Sequence, residues 1–261
     1  MFQHIYDVLE EAKTLTDTSA STNQNDTIVT GQENTTVFAK HGDDVIFSGA
    51  GDDILSGNTG DDIIDGNAGD DIIVGGVGED TLRGGAGNDQ LVASVDDKMV
   101  AGGNGFDTVY MRAEEGDDNF FDLVTQARSV EAIVGYGTED VFANVSLSNI
   151  LFQSQDDGNE ETPDTDNTFI AVGLEGLSLE GIWRFLEDGE LNFTSEDITG
   201  EQEQAYIEML GLSYVPDGVL DLHAYTFGEG ENAVTIVTDL SADDITVGNE
   251  SLAEMSDMMP V

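Results

Sequence analysis

The chain is 261 residues long and carries a net charge of -48, from 55 Asp plus Glu against 7 Lys plus Arg. Acidity of that order excludes nucleic acid and anionic membrane surfaces as partners, since polyanions repel it, and points instead to cations. Cysteine is absent, which removes disulfides and thiolate chemistry, and no apolar run approaches the length that spans a bilayer as a helix.

In residues 1–17, Phe2, Ile5, Leu9 and Ala12 recur at helical spacing with Asp7, Glu10 and Glu11 mostly on the other side. This pattern predicts a short amphipathic helix. A lone helix of this length is marginal in water, so it is expected to dock, either as a cap on the repeats that follow or on a partner. The stretch MFQHIYDVLEEAK has no basic start, apolar run or small-residue cleavage site, so no Sec-type leader is expected there. TDTSASTNQN, residues 16–25, reads as a polar linker.

From Ser21 to Tyr110 the chain repeats every nine residues, in ten copies that start at Ser21, Thr30, Ala39, Ser48, Gly57, Gly66, Gly75, Gly84, Ala93 and Gly102. The eighth position is aliphatic in every copy: Ile28, Val37, Ile46, Leu55, Ile64, Ile73, Leu82, Leu91, Val100 and Val109. The sixth is Asp26, Asp44, Asp53, Asp62, Asp71, Asp80, Asp89 and Asp107, with Thr35 and Lys98 in the other two copies. Glycine gathers at the first, second and fourth positions, where a tight turn calls for positive φ and close backbone approach. Six turn-forming residues followed by three strand residues make a coil whose inward side chains stack between two thin parallel sheets. Two copies complete one turn of coil, so residues 18 apart stand one above another at about the strand spacing of 4.8 Å.

Carboxylates stacked that closely repel unless a cation separates them. Hard oxygen ligands in a flexible turn suit Ca²⁺ better than Mg²⁺ or a transition metal. The same-edge pairs are Asp26/Asp44, Asp44/Asp62 and Asp62/Asp80 on one side and Asp53/Asp71, Asp71/Asp89 and Asp89/Asp107 on the other. About six or more calcium ions are expected at these positions.

GNTGDDIID, GNAGDDIIV, GGVGEDTLR and GGAGNDQLV, from Gly57 to Val92, resemble the RTX, or hemolysin-type calcium-binding, nonapeptide G-G-x-G-x-D-x-U-x, a known Ca²⁺-binding repeat. The resemblance covers residues 21–110. It implies a parallel β-roll, calcium-driven folding and export through a type I secretion system. It also implies that glycine-turn carbonyls complete the calcium shell, which carries over to Gly49, Gly51, Gly60, Gly69, Gly78 and Gly87. Two departures stand out: Thr35 removes a carboxylate, and the copy from Ala93 to Ala101 has no glycine. At Lys98 the ammonium is expected to replace calcium beside Asp80 and end one metal column.

Outward strand positions are apolar for a solvent-facing roll: Phe38, Ile54, Ile72, Val74 and Val92 on one sheet, Val45, Phe47 and Ile63 on the other. Such surface is usually covered, here by flanking regions of the chain or by another subunit. After the roll (21–112), residues 113–153 read as a degenerate continuation. VGYGTEDVF, Val134 to Phe142, keeps the motif's shape out of phase, with Glu139 in the acid slot. Residues 154–168 are an acidic loop.

Residues 169–261 read as a small α+β region. Strands are predicted over Phe169 to Val172 and over Val219 to Tyr225, the latter paired with Ala233 to Val237 across the GEGEN turn. A helix over Thr199 to Gly211 would start on a Thr199/Gln202 capping box, and Ser178 to Asp188 leans to helix. The tail SDMMPV is similar to the uncleaved export signals of RTX proteins.

The histidines His4, His41 and His223 form no HExxH, and no GxSxG or phosphate-binding loop occurs, so neither zinc-protease nor lipase chemistry is expected. A Ser213–His223 triad is possible only on paper. The reading that results is a mainly β protein: a parallel β-roll with an N-terminal helix and a small C-terminal α+β region, calcium-binding, secreted and extracellular. Its expected role is non-enzymatic, as a subunit of a surface layer, filament or adhesive matrix that self-associates through apolar roll faces. The alternative is an RTX enzyme or toxin with its catalytic part after residue 168. Ice binding would call for a regular Thr or Asn array, which Thr36, Ile54, Ile72, Gln90 and Thr108 do not supply.

Overall fold

The computed structural model describes residues 21–113, 120–122, 126–137, 141–146, 150, 167–181, 186–187, 190–191, 193–210, 212, 221–228, 233–247 and 250–257. The N-terminal helix, Glu139, Ser213, most of the acidic loop, most of the GEGEN turn and the last four residues of the tail lie outside them. The chain divides into two compact units, one holding the repeats to Arg112 together with residues 125–130, the other holding residues 113–124 and 131–261.

In the first unit, every copy contributes one strand: β1 (Thr27–Val29), β2 (Thr36–His41), β3 (Val45–Phe47), β4 (Ile54–Thr59), β5 (Ile63–Ala68), β6 (Ile72–Val77), β7 (Thr81–Ala86), β8 (Gln90–Ala93), β9 (Met99–Asn104) and β10 (Thr108–Ala113). Alternate strands join the two faces of a parallel β-roll, in the orders β1-β3-β5-β7-β9 and β2-β4-β6-β8-β10. Pairing is parallel at an interval of 18 residues, with Ile64 opposite Leu82 and Leu55 opposite Ile73. The eighth-position side chains, Ile28 through Val109, therefore form one buried stack.

The strands are longer than the sequence suggests. Most run six residues, because the first three positions of the following copy continue the ladder: Asn58 faces Gly76 and Asn67 faces Gly85. Turn-type residues that carry weak strand propensity are held in register by the coil above and below, so tertiary context overrides propensity. The true turn is thus only positions four to six. One short strand, β12 (Ala127–Arg128), adds to the β9 edge of the first sheet.

On the outward side, Val29 (70% exposed), Phe47 (40%) and Ile63 (46%) stay uncovered, whereas Phe38, Ile54, Ile72, Val74 and Val92 are half-buried.

The second unit also sends successive strands to alternate parallel ladders. One ladder contains β13 (Ala132–Gly137), β15 (Thr168–Val172) and β21 (Val234–Thr238). The other contains β11 (Phe120–Asp122), β14 (Phe142–Ser146), β16 (Gly176–Glu180) and β22 (Ile245–Val247). Between β16 and β21 come the hairpin β17 (Leu186–Glu187) and β18 (Glu190–Leu191), then β19 (Phe193–Asp197), helix α1 (Glu201–Met209) and β20 (His223–Phe227). The antiparallel pair predicted around the GEGEN turn is present as β20 and β21, with Ala224 opposite Val237. A short β23 (Glu250–Ser251) and α2 (Leu252–Asp257) close the described chain.

Two local expectations are corrected. Ser178 to Glu180 and Leu186–Glu187 are strand rather than helix, the first because Leu177 and Leu179 turn into the interior at period two. Helix α1 starts on Gly200, at φ 68°, with no side-chain cap, so Thr199 and Gln202 make no capping box. Among the described residues no helix is long and apolar enough to cross a membrane.

Leu82 is wholly buried in the first unit's stack. Leu82→Ala should lower the stability of the folded chain by about 2–5 kcal/mol, and Val29→Ala by about 0.5 kcal/mol or less. Urea unfolding followed by far-ultraviolet circular dichroism measures both.

Candidate metal centre

Each turn is shaped by three separate demands. At the second position the backbone adopts positive φ, met by Gly76 (123°) and Gly85 (128°) and by Asn58 (76°) and Asn67 (67°), since asparagine tolerates that region. The fourth position does the same, for example Gly60 at 127° and Gly78 at 141°. The first position does not. There the limit is space: a β-carbon on Gly57, Gly66, Gly75 or Gly84 would meet the carboxylate of Asp62, Asp71, Asp80 or Asp89 of its own copy, although Ala39 and Ser48 hold the same position beside Asp44 and Asp53. Positive φ thus accounts for glycine at the second and fourth positions, and close approach for the first.

The sixth-position acids are aligned by one recurring bond. The backbone N–H of each donates to Oδ1 of the acid one coil later: Asp44 to Asp62 at 2.7 Å, Asp62 to Asp80 at 2.8 Å, Asp53 to Asp71 at 2.8 Å, Asp71 to Asp89 at 2.9 Å and Asp89 to Asp107 at 2.8 Å. The second oxygen is left over. Oδ2 of Asp44, Asp53, Asp62, Asp71, Asp80 and Asp89 is buried and accepts no hydrogen bond. A buried, unsatisfied, ionised oxygen is strongly unfavourable, and six of them in two columns define the site. Burial pushes Asp62 and Asp89 up to about 6 and Asp71 and Asp80 up to about 7, against the N–H bonds that favour the charged form; neighbouring acids raise them further.

A second, outer ladder was not singled out in the sequence. Fifth-position side chains accept from the fifth-position N–H of the next coil: Asn34 from Asp52, Asp43 from Asp61, Asp52 from Asp70, Asp61 from Glu79 and Asp70 from Asn88. The signal was the recurrence of Asn or Asp at that position, the residue types whose short side chains bond nearby backbone.

The residues present fit a hard divalent cation. Among the described residues no three His, Asp or Glu side chains converge on one point, so carboxylates alone cannot enclose an ion and backbone oxygens must contribute. Carbonyls of Gly51, Gly60, Gly69, Gly78 and Gly87 accept no backbone hydrogen bond among the described residues. Gly49 differs, since its carbonyl takes the Ala68 N–H at 3.2 Å. Calcium, bound by six to eight flexible oxygen ligands, would be held by Oδ2 of the paired acids and by the free glycine carbonyls. Its chemistry there is charge neutralisation.

At the margins the predicted ligands part company. Asp107 is buried in line with Asp89. Asp26 is only half-buried, and its Oδ2 accepts the Thr22 N–H at 2.6 Å and hydroxyl at 2.8 Å. Thr35 gives its hydroxyl to the Glu33 carbonyl and supplies no acid. The expectation for Lys98 is corrected: its ammonium lies outside, 3.4 Å from Asp61 Oδ2 and from Glu79 Oε2, not beside the Asp80 carboxylate. Asp97 takes the inner slot instead, its Oδ1 accepting the Asp80 N–H at 3.1 Å. An acid one residue ahead of Lys98 was the available signal, hidden because the strict nine-residue frame assigns it to the outer ladder.

The family model of the RTX calcium-binding nonapeptide repeat matches in four copies, over residues 21–55, 48–82, 56–91 and 74–109. No curated protein and no solved structure matches the chain. Residues 21–109 are RTX calcium-binding repeats, folded as a parallel β-roll.

Two outcomes follow from the turn. The column acids have folded pKa values above their unfolded one, so they support the metal-free roll below about pH 4 and oppose it as pH rises through about 6 to 7. Metal-free protein should lose strand signal between about pH 4 and pH 7, and calcium should abolish that dependence. Gly66→Ala, whose methyl meets the Asp71 carboxylate, should weaken calcium binding by about 10–100-fold in titration calorimetry, the usual effect of disturbing groups that orient metal ligands.

Proposed function

We propose that these repeats make the protein a calcium-gated extracellular structural element: a chain that is exported unfolded, folds its roll on calcium, and acts without catalysis. The observation that carries the reading is the set of six buried Oδ2 atoms without partners, in two columns of stacked acids. Without a cation they oppose the fold; with one, ion binding and folding become a single free-energy event. Sites of this kind built from flexible oxygen ligands in extracellular modules bind at about 10⁻⁴–10⁻³ M, so the roll folds where calcium is abundant and stays open in the cytosol.

A net charge of -48 keeps the calcium-free chain expanded by self-repulsion, a state that can thread a secretion channel. Export through a type I apparatus belongs to this reading. Outside the cell, a rigid roll with Val29, Phe47 and Ile63 uncovered offers an apolar contact surface, which suits a subunit of a surface layer, filament or matrix better than a diffusing enzyme.

Circular dichroism at about pH 8 tests the folding step. Excess chelator should remove most of the strand signal and calcium should restore it cooperatively. Full strand signal in chelator would overturn the proposal. Light scattering with and without calcium reads the structural role, where growth with protein concentration is expected only with calcium.

A further inference from the structure

The Asp26, Asp44, Asp62, Asp80 column ends differently from the way the repeat pattern implies, at both extremities. Its interior acids each have one oxygen bonded to a backbone N–H and one buried oxygen without a partner. Its terminal acids are bonded instead by donors of their own turns. Asp26 Oδ2 is bonded by the backbone N–H and the hydroxyl of Thr22, at 2.6 and 2.8 Å. Asp97 Oδ2 accepts the Ser94 N–H at 2.8 Å, and its Oδ1 accepts both the Asp80 N–H at 3.1 Å and the Ser94 hydroxyl at 3.3 Å. A carboxylate with three donors is satisfied as an anion by charge-assisted hydrogen bonds.

Backbone oxygens are consumed at the same turn. Ser94 to Asp97 close with a bond from the Asp97 N–H to the Ser94 carbonyl at 3.3 Å, and no residue from Ser94 to Lys98 has positive φ. The Gln126 amide then donates to the carbonyls of Val95 and Asp97, at 2.9 and 3.1 Å. No comparable bond reaches the carbonyls of Gly60, Gly69 or Gly78 among the described residues. Lys98 completes the arrangement on the outer side, where its ammonium donates to the Glu79 carbonyl at 3.2 Å and pairs with Asp61 and Glu79. The interval from Asp80 to the acid that receives its N–H is 17 residues, not 18, yet Thr81 still faces Met99 in the strands. The turn alone is remodelled.

Resting on the calcium reading above, we infer that Thr22 with Asp26 and Ser94 with Asp97 are protein-built end-stops, which confine the metal of this column to the turns of Asp44, Asp62 and Asp80. The serine or threonine donors stand in for the ion at each end, so the last turn holds its shape with no metal beside it. In the other column the 18-residue interval and the Gly103 and Gly105 turn are kept at Asp107.

The test is the calcium-to-protein ratio of the full chain at saturation, from equilibrium dialysis and atomic absorption. Asp97→Asn and Asp26→Asn should leave the ratio unchanged, whereas Asp62→Asn should lower it. Rebuilding the repeat with Ala93→Gly, Ser94→Gly, Asp96→Gly and Lys98→Asp should raise it by about one ion, the capacity of one added inter-turn site. A ratio that falls in Asp97→Asn, or that does not rise in the rebuilt turn, overturns the end-stops while leaving calcium binding intact. No calcium bound to the unaltered chain would overturn both readings together.

Discussion

Stacking like on like is the constraint from which the rest of the roll descends. Parallel pairing at an 18-residue interval places every residue over its own counterpart, so whatever one position carries is multiplied along the column. At the eighth position this yields a continuous apolar core. At the sixth it yields a row of carboxylates taken out of water, which no arrangement of the row itself can neutralise. The backbone N–H of each acid can satisfy one oxygen of the next, and the other oxygen remains. The fit of the turn to a cation follows from that leftover oxygen.

The second unit makes a useful contrast. Its strands also alternate between two parallel ladders, but among the described residues the corners show no stacked acids. Gly173 lies against Gly135 at one such corner, and its N–H is held by both oxygens of Asp239 at 3.0 Å. One carboxylate meets a backbone donor there, and no repeat of it occurs among the described residues. Alternation between ladders is therefore not what calls for metal; periodic acidity is. Where the period is lost, an aliphatic interior such as that of β15 can carry the coil.

What could be read from the sequence divides along the same line. Position eight, position six and the 18-residue pairing are properties of a period, and a period is visible in a string of letters. Features that depend on how one turn relaxes are not. Asp97 displaces Lys98 from the inner slot because its carboxylate finds Ser94 three residues back, a choice decided by local donors within an unchanged strand register. The extra strand length at Asn58 and Asn67 comes from neighbouring coils rather than from those residues. In the second unit no frame exists, so Ser178 to Glu180 could be assigned to strand only once Leu177 and Leu179 were seen facing inward. The exposed Phe47 and Ile63 were read as apolar and outward from their positions, but their degree of cover could not be, and Val29 was missed.

The two-copies-per-coil construction also sets the unit in which this roll can change length. Duplicating a single copy would send every later strand to the opposite sheet, and each acid downstream would stand in the other column, above a different set of glycines and beneath a different end. Duplicating two copies would leave every contact as it is and lengthen both columns together. A gain or loss that is not a whole number of copies would interrupt the core and both ladders at once, since every strand downstream would leave its 18-residue register.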